Sequence, residues 1–246
     1  MSKPQLNPEH TLIPFETSPL PPGPWLVFAP HADDETYGMA GSLLKAHAEG
    51  IQTHLVVLTD GALGGSAADL VDVRNKEVHA AAEILGINSV DSWQQADRGL
   101  TVSAQLVDRV CQKINELGVA SVFFPGPLEP HPDHRNTALL VWAAIQKLSK
   151  QAAVPIAYSY EIGVQNPVNL FIDITAQRPR KEQAMTVYGS QNEQNNYEEL
   201  VLSLDKGRTF TLAAEVSHAE GFYRYCPEQL QLSLKQVTHD IIDLYF

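Results

Sequence analysis

The chain has 246 residues, of which 44% are apolar and 19% are charged, and its net charge at neutral pH is −12. This length and composition are ordinary for a soluble globular protein with one large α/β domain or two small ones. The excess of acidic side chains argues against a protein that binds nucleic acid or docks on anionic membranes, because both tasks need a basic surface.

The first 24 residues are polar and rich in proline, which predicts an extended N-terminal arm (residues 1–24) before a domain at residues 25–246. This segment lacks the apolar core of a signal peptide, and no apolar run in the chain reaches the ~20 residues that cross a bilayer. The two cysteines, Cys111 and Cys226, lie far apart and in no metal-binding spacing. A reduced, cytoplasmic protein is therefore expected.

Strands and helices alternate along the chain. Continuous apolar runs are typical of buried parallel strands, and they predict strands at residues 25–29, 54–58, 89–93, 119–124, 156–160 and 168–174. Helical patterns cover residues 37–49, 69–85, 102–117 and 137–148. From residue 178 onwards the sequence predicts helices around a polar loop at 190–196. The alternation predicts a Rossmann-like, three-layer α/β/α fold with a mostly parallel sheet in a single domain.

The first predicted strand ends in an unusual cluster of polar groups. Residues 30–35 read Pro-His-Ala-Asp-Asp-Glu, and in open α/β sheets binding sites lie at the carboxyl ends of the strands. His31 and Asp34 are of the residue types that bind zinc, and both can point to one place with Asp33 beside the metal. The same residues could instead form a solvated acidic loop in which a carboxylate caps the following helix.

A second cluster, His-Pro-Asp-His-Arg at residues 131–135, follows the strand predicted at 119–124. A catalytic zinc ion takes three protein ligands and keeps one position open. His31, Asp34 and one histidine of this second cluster make up such a set. Two clusters that each follow a strand favour a metal site over two unrelated surface loops. Imidazole and carboxylate ligands do not select zinc alone, so Fe²⁺ or another divalent ion is also possible at this site.

Both clusters resemble the signatures of the LmbE-like (PIG-L) deacetylases, and the first one departs from the family motif at Ala32, where proline is usual. The resemblance continues at Thr59–Gly61, Arg74, Glu77, Leu85–Gly86, Ser190–Gln191 and Ala219–Phe222. Members of this family are Rossmann-like and zinc-dependent, and most remove acetyl from N-acetylglucosamine conjugates. The resemblance implies a zinc-dependent N-deacetylase that acts on a small amino-sugar glycoside.

The resemblance places one zinc ion on His31, Asp34 and His134. Asp33 would be the general base, because a carboxylate beside the metal can take the proton of a water whose pKa the zinc lowers. Members of the family pair or form rings, so a homo-oligomer is one expectation.

Further residues receive roles from the same resemblance. His131 would help to hold the developing oxyanion, and Asp133 would favour the protonated state in which His131 is the better donor. Arg74 would grip the substrate, although a surface arginine paired with a carboxylate on its own helix is an equally good interpretation. Asp97 is a candidate for binding a sugar hydroxyl. Tyr188 stands where several members have a histidine, which implies a different substrate if this position contacts it.

Three alternatives stay open. A Rossmann-like nucleotide-binding protein fits the sheet pattern and the glycine-rich loop at residues 61–65, but the dinucleotide fingerprint is absent after the first strand. A protein that binds metal without catalysis would have no need of Asp33 or His131. The same catalytic site would also cleave the amide of a thiol conjugate or of an acylated antibiotic sugar.

Overall fold

The computed structural model describes residues 9–150, 154–193 and 195–246. Within these ranges seven strands form one sheet: β1 (Trp25–Ala29), β2 (Thr53–Thr59), β3 (Ser89–Gln95), β4 (Ser121–Pro125), β5 (Ile156–Tyr160), β6 (Leu170–Asp173) and β7 (Ala219–Arg224). Their order across the sheet is β3-β2-β1-β4-β5-β7-β6. The first five strands in this order run parallel, and β7 runs antiparallel to both of its neighbours. The predicted mostly parallel, single-domain α/β fold is confirmed.

The helices of the described residues pack on both faces of the sheet. They are α1 (Glu9–Leu12), α2 (Asp34–Ala48), α3 (Leu70–Leu85), α4 (Ala104–Leu117), α5 (Pro132–Leu148), α6 (Arg178–Met185), α7 (Gly189–Asn192), α8 (Tyr197–Gly207) and α9 (Leu234–Ile242). As predicted, α3 and α4 end at residues 85 and 117. Each is followed by a glycine, Gly86 and Gly118, in the left-handed conformation that glycine accepts most easily.

The central strand β1 divides its side chains between two hydrophobic cores. Trp25, Val27 and Ala29 pack in the core that α2 and α3 cover. Leu26 and Phe28 point to the other face and pack in the core that α4, α5 and α9 cover. Because alternate residues of a strand face opposite sides, a strand buried on both sides needs an unbroken apolar run, which is the pattern that predicted it.

Two helices begin earlier than predicted. α2 begins at Asp34 rather than at residue 37, and α5 begins at Pro132 rather than at residue 137. Proline suits a first helical turn because its missing N–H is not needed there, and carboxylates are favoured at a helix amino terminus. The two polar clusters therefore lie partly on the first turns of rigid helices instead of in open loops.

The last third of the chain contains a strand where the sequence predicted helices. β7 inserts between β5 and β6, with Phe222 opposite Tyr160 on one side and opposite Leu170 on the other. The strand is only six residues long, and Glu220 and Gly221 in its interior interrupt the apolar pattern that identifies a buried strand.

The predicted N-terminal arm lies partly outside the described residues. Its described part begins with the helical turn α1 and continues as a segment that is bonded to the sheet. Ser18 donates its backbone N–H to the Phe171 carbonyl at 2.7 Å, and Pro22 accepts a hydrogen bond from the Ser121 hydroxyl at 2.6 Å. This segment therefore packs along the domain, and the boundary between arm and domain at residue 25 stays a prediction.

No helix among the described residues combines the length and the apolar character needed to cross a membrane. Both cysteines are free thiols, with Cys111 buried and Cys226 exposed.

Candidate active site

The two polar clusters meet at the carboxyl edge of the sheet. β1 and β4 are parallel neighbours, with Trp25 opposite Ser121, so the segments that follow them are adjacent. They border a cavity of about 570 Å³. In the turn between β1 and α2, Asp33 has a φ of 147°, an uncommon conformation for a residue other than glycine that is held by the surrounding contacts.

Asp34 joins the two clusters. Its Oδ2 atom lies 3.2 Å from His31 Nδ1 and 3.3 Å from His134 Nε2. Ligand atoms around a tetrahedral zinc ion lie about 3.3 Å apart, because each bond is about 2.0 Å long. The spacing of Asp34 from each imidazole therefore fits a shared metal ion. Ring nitrogens of His31, His131 and His134 also lie within 4.8 Å of one another, so His131 lies beside the two predicted histidine ligands.

Both predicted histidine ligands present their second ring nitrogen to a carboxylate. His31 Nε2 lies 3.2 Å from Asp133 Oδ2 and 3.5 Å from Asp97 Oδ1. His134 Nδ1 lies 3.6 Å from Glu129 Oε2. Histidines that bind metals usually donate their remaining N–H to such a partner, which fixes the tautomer and the ring orientation. The arrangement leaves Nδ1 of His31 and Nε2 of His134 for a metal.

The electrostatics of this cluster also suit a cation. Burial lowers the pKa of His31, but its carboxylate neighbours, Asp133 first, outweigh burial and raise it well above the ordinary value. Burial also opposes the protonation of His134, yet the charge of Asp34 raises its pKa to about 9. Protons on these imidazoles offset the negative charge of the buried carboxylates. A divalent ion that displaces these protons would offset the same charge.

Asp33 lies at the cavity wall and is held by Arg74. Arg74 donates from Nη2 to Asp33 Oδ2 at 3.1 Å and to the Ala32 carbonyl at 3.0 Å. Burial raises the pKa of Asp33 to about 7, against the opposing charge of Arg74. A carboxyl group with a near-neutral pKa can both take and return a proton, which is the requirement for a general base.

Arg74 is itself buried, with 3% of its surface exposed. Its interpretation as a surface arginine paired along its own helix is therefore wrong. Arg74 does line the cavity, and its contact with a substrate stays a prediction.

Asp133 has the expected electrostatic effect on His131, but burial and the neighbouring imidazoles outweigh it. The Asp133 backbone N–H donates to His131 Nδ1 at 3.2 Å, so a neutral His131 carries its proton on Nε2. The Asp133 carboxylate contacts His31 and accepts the backbone N–H groups of Arg98 and Leu100. Its charge does favour protonation of His131, but burial and the two neighbouring imidazoles outweigh it and lower the pKa of His131.

Glu35 and Tyr188 lie beneath the site. Tyr188 donates its hydroxyl to Glu35 Oε1 at 2.6 Å, and Thr36 donates to the same oxygen at 2.7 Å. Glu35 Oε2 accepts the Asp33 backbone N–H at 3.3 Å. Glu35 therefore supports the turn. Tyr188 is fully buried and does not line the cavity, so its role is to support that turn.

Several cavity residues carry no local sequence signal. Asp97 lies in the cavity, as expected of a substrate-binding residue, but one of its oxygens accepts the Leu63 N–H and the other lies beside His31. Glu129 was not predicted, although an acidic residue two positions before His131 is a usable hint. Of the other lining residues, Tyr37 lies on α2 beside the first cluster and Arg98 follows Asp97, whereas later parts of the chain contribute Ile162, Tyr197, Leu200 and Val201.

Comparisons with known proteins match this chain to one family. Residues 26–145, which include both clusters, match the PIG-L family, described as GlcNAc-PI de-N-acetylase. The chain is 29% identical to a probable N-acetyl-alpha-D-glucosaminyl L-malate deacetylase 2 of Bacillus anthracis, over 183 residues that cover 68% of this chain and 80% of the relative.

Solved structures share the fold. One is the N,N'-diacetylchitobiose deacetylase of Pyrococcus horikoshii, with a TM-score of 0.76 and 22% identity over 85% of this chain and 86% of that one. Another is the 4-carboxy-2-hydroxymuconate hydratase of Pseudomonas putida, with a TM-score of 0.72 and 22% identity over 82% of this chain and 95% of that one. Because a hydratase shares the architecture, the reaction has to be argued from the site.

Proposed function

We propose that this protein is a metal-dependent amidohydrolase of the PIG-L family, whose model matches residues 26–145, and that it removes an N-acetyl group from an amino-sugar conjugate. One observation carries the proposal: His31, Asp34 and His134 converge beside Asp33, a buried carboxylate with a near-neutral pKa. The relative from Bacillus anthracis is named for a glucosaminyl malate substrate, which supports the same substrate class.

His31, Asp34 and His134 would hold the metal, for which we propose zinc with iron(II) as the alternative. When bound, the ion would act as a Lewis acid toward the amide carbonyl and lower the pKa of a water molecule. Asp133 lies 3.2 Å from His31 Nε2 and Glu129 lies 3.6 Å from His134 Nδ1, so their charges favour the tautomers that leave the required nitrogens free.

The chain's own groups account for the proton transfers. Asp33 accepts a proton from the attacking water as the water oxygen bonds to the amide carbon. Arg74 keeps Asp33 in place through the 3.1 Å contact. His131 donates a hydrogen bond from Nε2 to the carbonyl oxygen as negative charge develops there. Asp33 returns the proton to the nitrogen when the C–N bond breaks, which yields acetate and the free amine.

A nucleotide-binding protein is a poorer fit to the same site. The turn after β1 carries Asp33, Asp34 and Glu35 where a dinucleotide would need close approach of a glycine backbone. Buried carboxylates at that point would repel a pyrophosphate. Hydrolysis of the amides in thiol conjugates or acylated antibiotic sugars needs the same chemistry. The residues of the cavity wall would therefore determine which of these substrates is accepted.

We also propose that residues 25–246 act as one catalytic domain. The family match ends at residue 145, but the cavity is completed by Ile162, Tyr197 and Leu200 from the following part of the chain.

Acetate release from a panel of N-acetylglucosamine conjugates tests the proposal. Release should stop when a chelator removes the metal, and one equivalent of Zn²⁺ or Fe²⁺ per chain should restore it. If protein with one metal ion per chain releases no acetate from any conjugate, the proposed reaction is wrong. If the purified chain binds no divalent ion, the proposed metal site is wrong as well.

A further inference from the structure

The charged side chains around the cavity are paired, with one exception. Asp33 faces Arg74 at 3.1 Å. The other carboxylates that line the cavity each lie within 3.6 Å of an imidazole, and they are Asp34, Asp97 and Glu129. Arg98 also lines the cavity and is exposed, and its guanidinium has no hydrogen bond or ion pair within the part of the chain that the structure describes. Arg98 is therefore the one charged side chain lining the cavity that has no partner among the described residues.

The backbone of Arg98 is held in a conformation that favours glycine. Its φ is 58°, in the left-handed region that a residue with a Cβ atom adopts at a cost. Its N–H donates to Asp133 Oδ2 at 2.7 Å, and the same oxygen lies 3.2 Å from His31 Nε2. The turn is thus fixed to the metal cluster through one carboxylate. A guanidinium on such a strained turn at a cavity points to function.

The rest of the outer cavity wall combines apolar and aromatic side chains with the uncharged amides of Gln191 and Asn195. Leu63, Tyr197 and Leu200 line it and are 56%, 38% and 41% exposed. The ring of Tyr197 lies 5.8 Å from that of Tyr37, so the pair presents an aromatic surface suited to a sugar ring. None of these side chains carries a charge, and Arg74 is buried against Asp33, so Arg98 is the exposed and unpaired guanidinium at the cavity.

We propose that Arg98 forms a subsite for an anionic group, a carboxylate or a phosphate, on the aglycone that stays attached to the amino sugar. The inference rests on the proposed deacetylase function and narrows its substrate class. The planar fork of a guanidinium binds two oxygens of a carboxylate or phosphate at once. When the acetamide lies at the metal cluster, the rest of the conjugate extends along the cavity toward the unpaired guanidinium.

Three probes test this subsite by their kcat/KM values: the neutral methyl glycoside of N-acetylglucosamine, its glycoside with malate, and N-acetylglucosamine 1-phosphate. The wild-type protein should prefer one anionic probe over the neutral probe by about tenfold, the worth of a partly solvated charge-assisted contact. The larger preference identifies the anion as carboxylate or phosphate.

The Arg98→Gly variant should lose this preference. Because glycine relaxes the left-handed turn, its melting temperature should not fall, which separates lost recognition from unfolding. Arg98→Lys keeps the charge without the fork and should keep only part of the preference. Arg224→Gln is the matched control, since Arg224 is an exposed arginine outside this cavity and its loss should leave the preference intact.

The proposal is overturned if the preference survives in Arg98→Gly or if the wild-type protein shows none. Calorimetric titration with the anionic probes separates this result from a failure of the proposed reaction. If no probe is hydrolysed but the anionic probes bind the wild-type protein more tightly than Arg98→Gly, the deacetylase proposal fails and the subsite stands. If no probe is hydrolysed and binding is equal in both proteins, the subsite fails too.

Discussion

Two buried clusters of charged side chains differ in where their positive charge comes from. In the Lys181 cluster (Lys181, Asp205 and Glu220), the lysine Nζ lies 2.8 Å from Asp205 and 2.9 Å from Glu220. Glu220 also accepts the backbone N–H groups of Gly41 and Ser42 at 2.8 and 2.7 Å. The chain supplies its own cation here, and the lysine is fully buried.

The metal cluster (His31, Asp34 and His134) lacks a cation of that kind. Asp34 lies between two imidazoles, which balance its charge only when they are protonated. This cluster borders a cavity, whereas the Lys181 side chain is fully buried. A buried carboxylate that pairs with a lysine of the same chain contributes to stability. A buried carboxylate that faces titratable imidazoles at a cavity is suited to bind an exchangeable metal ion.

The largest expected effect is on catalysis beside the metal cluster. Asp33→Asn removes the general base and should lower kcat by about 10³-fold, within the range for general-base catalysis. Metal content should not fall, because the amide keeps the shape of a side chain that is not a proposed ligand. The melting temperature should fall, because the buried guanidinium of Arg74 loses its ion-pair partner. Acetate release, elemental analysis and thermal unfolding check this. The control Asp69→Asn changes an exposed aspartate without a side-chain cap bond, and it should match the wild type. Activity within threefold of wild type in Asp33→Asn would show that another group is the base.

The Lys181 cluster should show the opposite pattern, a loss of stability with catalysis retained. Lys181→Met leaves two buried carboxylates without a cation and should lower the free energy of unfolding by about 3–5 kcal/mol. The loss should shrink as the pH falls, because protonation removes the unpaired negative charge. Urea unfolding at several pH values measures it, with kcat determined on the folded fraction.

Lys147→Met is the matched control for that experiment. Lys147 pairs with Asp108 at the exposed surface, where solvent screens the pair, so unfolding should be nearly unchanged. Equal effects of the two substitutions would contradict the contrast between buried and exposed pairs.

A smaller effect is expected from the carboxylate behind a metal ligand. Glu129→Gln weakens the partner of His134 Nδ1 and should lower metal affinity by about 10- to 100-fold. The glutamine oxygen can still accept the Ile162 backbone N–H, which Glu129 accepts at 2.9 Å, so the loop should keep its fold. Competition with a coloured chelator measures the Kd for the metal. The exposed Glu193→Gln or Glu199→Gln should leave the Kd unchanged, and an unchanged Kd in Glu129→Gln would remove this residue from the site.

The smallest effect concerns the support beneath the site. Tyr188→Phe removes one hydroxyl that donates to Glu35 and should cost about 1–2 kcal/mol of stability. Substrate preference should not change, because the ring is buried away from the cavity. Thermal unfolding and relative kcat/KM values over the substrate panel check both statements. A changed preference would mean that this position does influence substrate choice.

The sequence predicted the parts of the molecule that short patterns encode. β1 and β5 were predicted at their observed bounds, because a strand buried on both faces reads as an unbroken apolar run. The segments at 30–35 and 131–135 were predicted to meet, since parallel strands bring their carboxyl ends to one edge. The starts of α2 and α5 were placed too late, because polar residues in a first turn look like a loop.

The rest depended on contacts between distant parts of the chain. β7 escaped prediction because Glu220 in its interior is stabilised by Lys181 of α6, a partner that no local pattern reveals. Tyr197 and Leu200 reach the cavity only because α8 packs over it. The pairing of Arg74 with Asp33 joins two separate elements, and the sequence offered only neighbours on the same helix as its partners.

The division of the cavity between two stretches of chain has a consequence for how such proteins diverge. Every residue assigned to the chemistry lies between His31 and His134, whereas much of the outer wall comes from residues after 160, beyond the family match. Selection can therefore reshape that wall without touching the reaction centre. Paralogues with the same catalytic groups and different α8 sequences would accept different conjugates, so one ancestral hydrolase can be recruited repeatedly to new pathways.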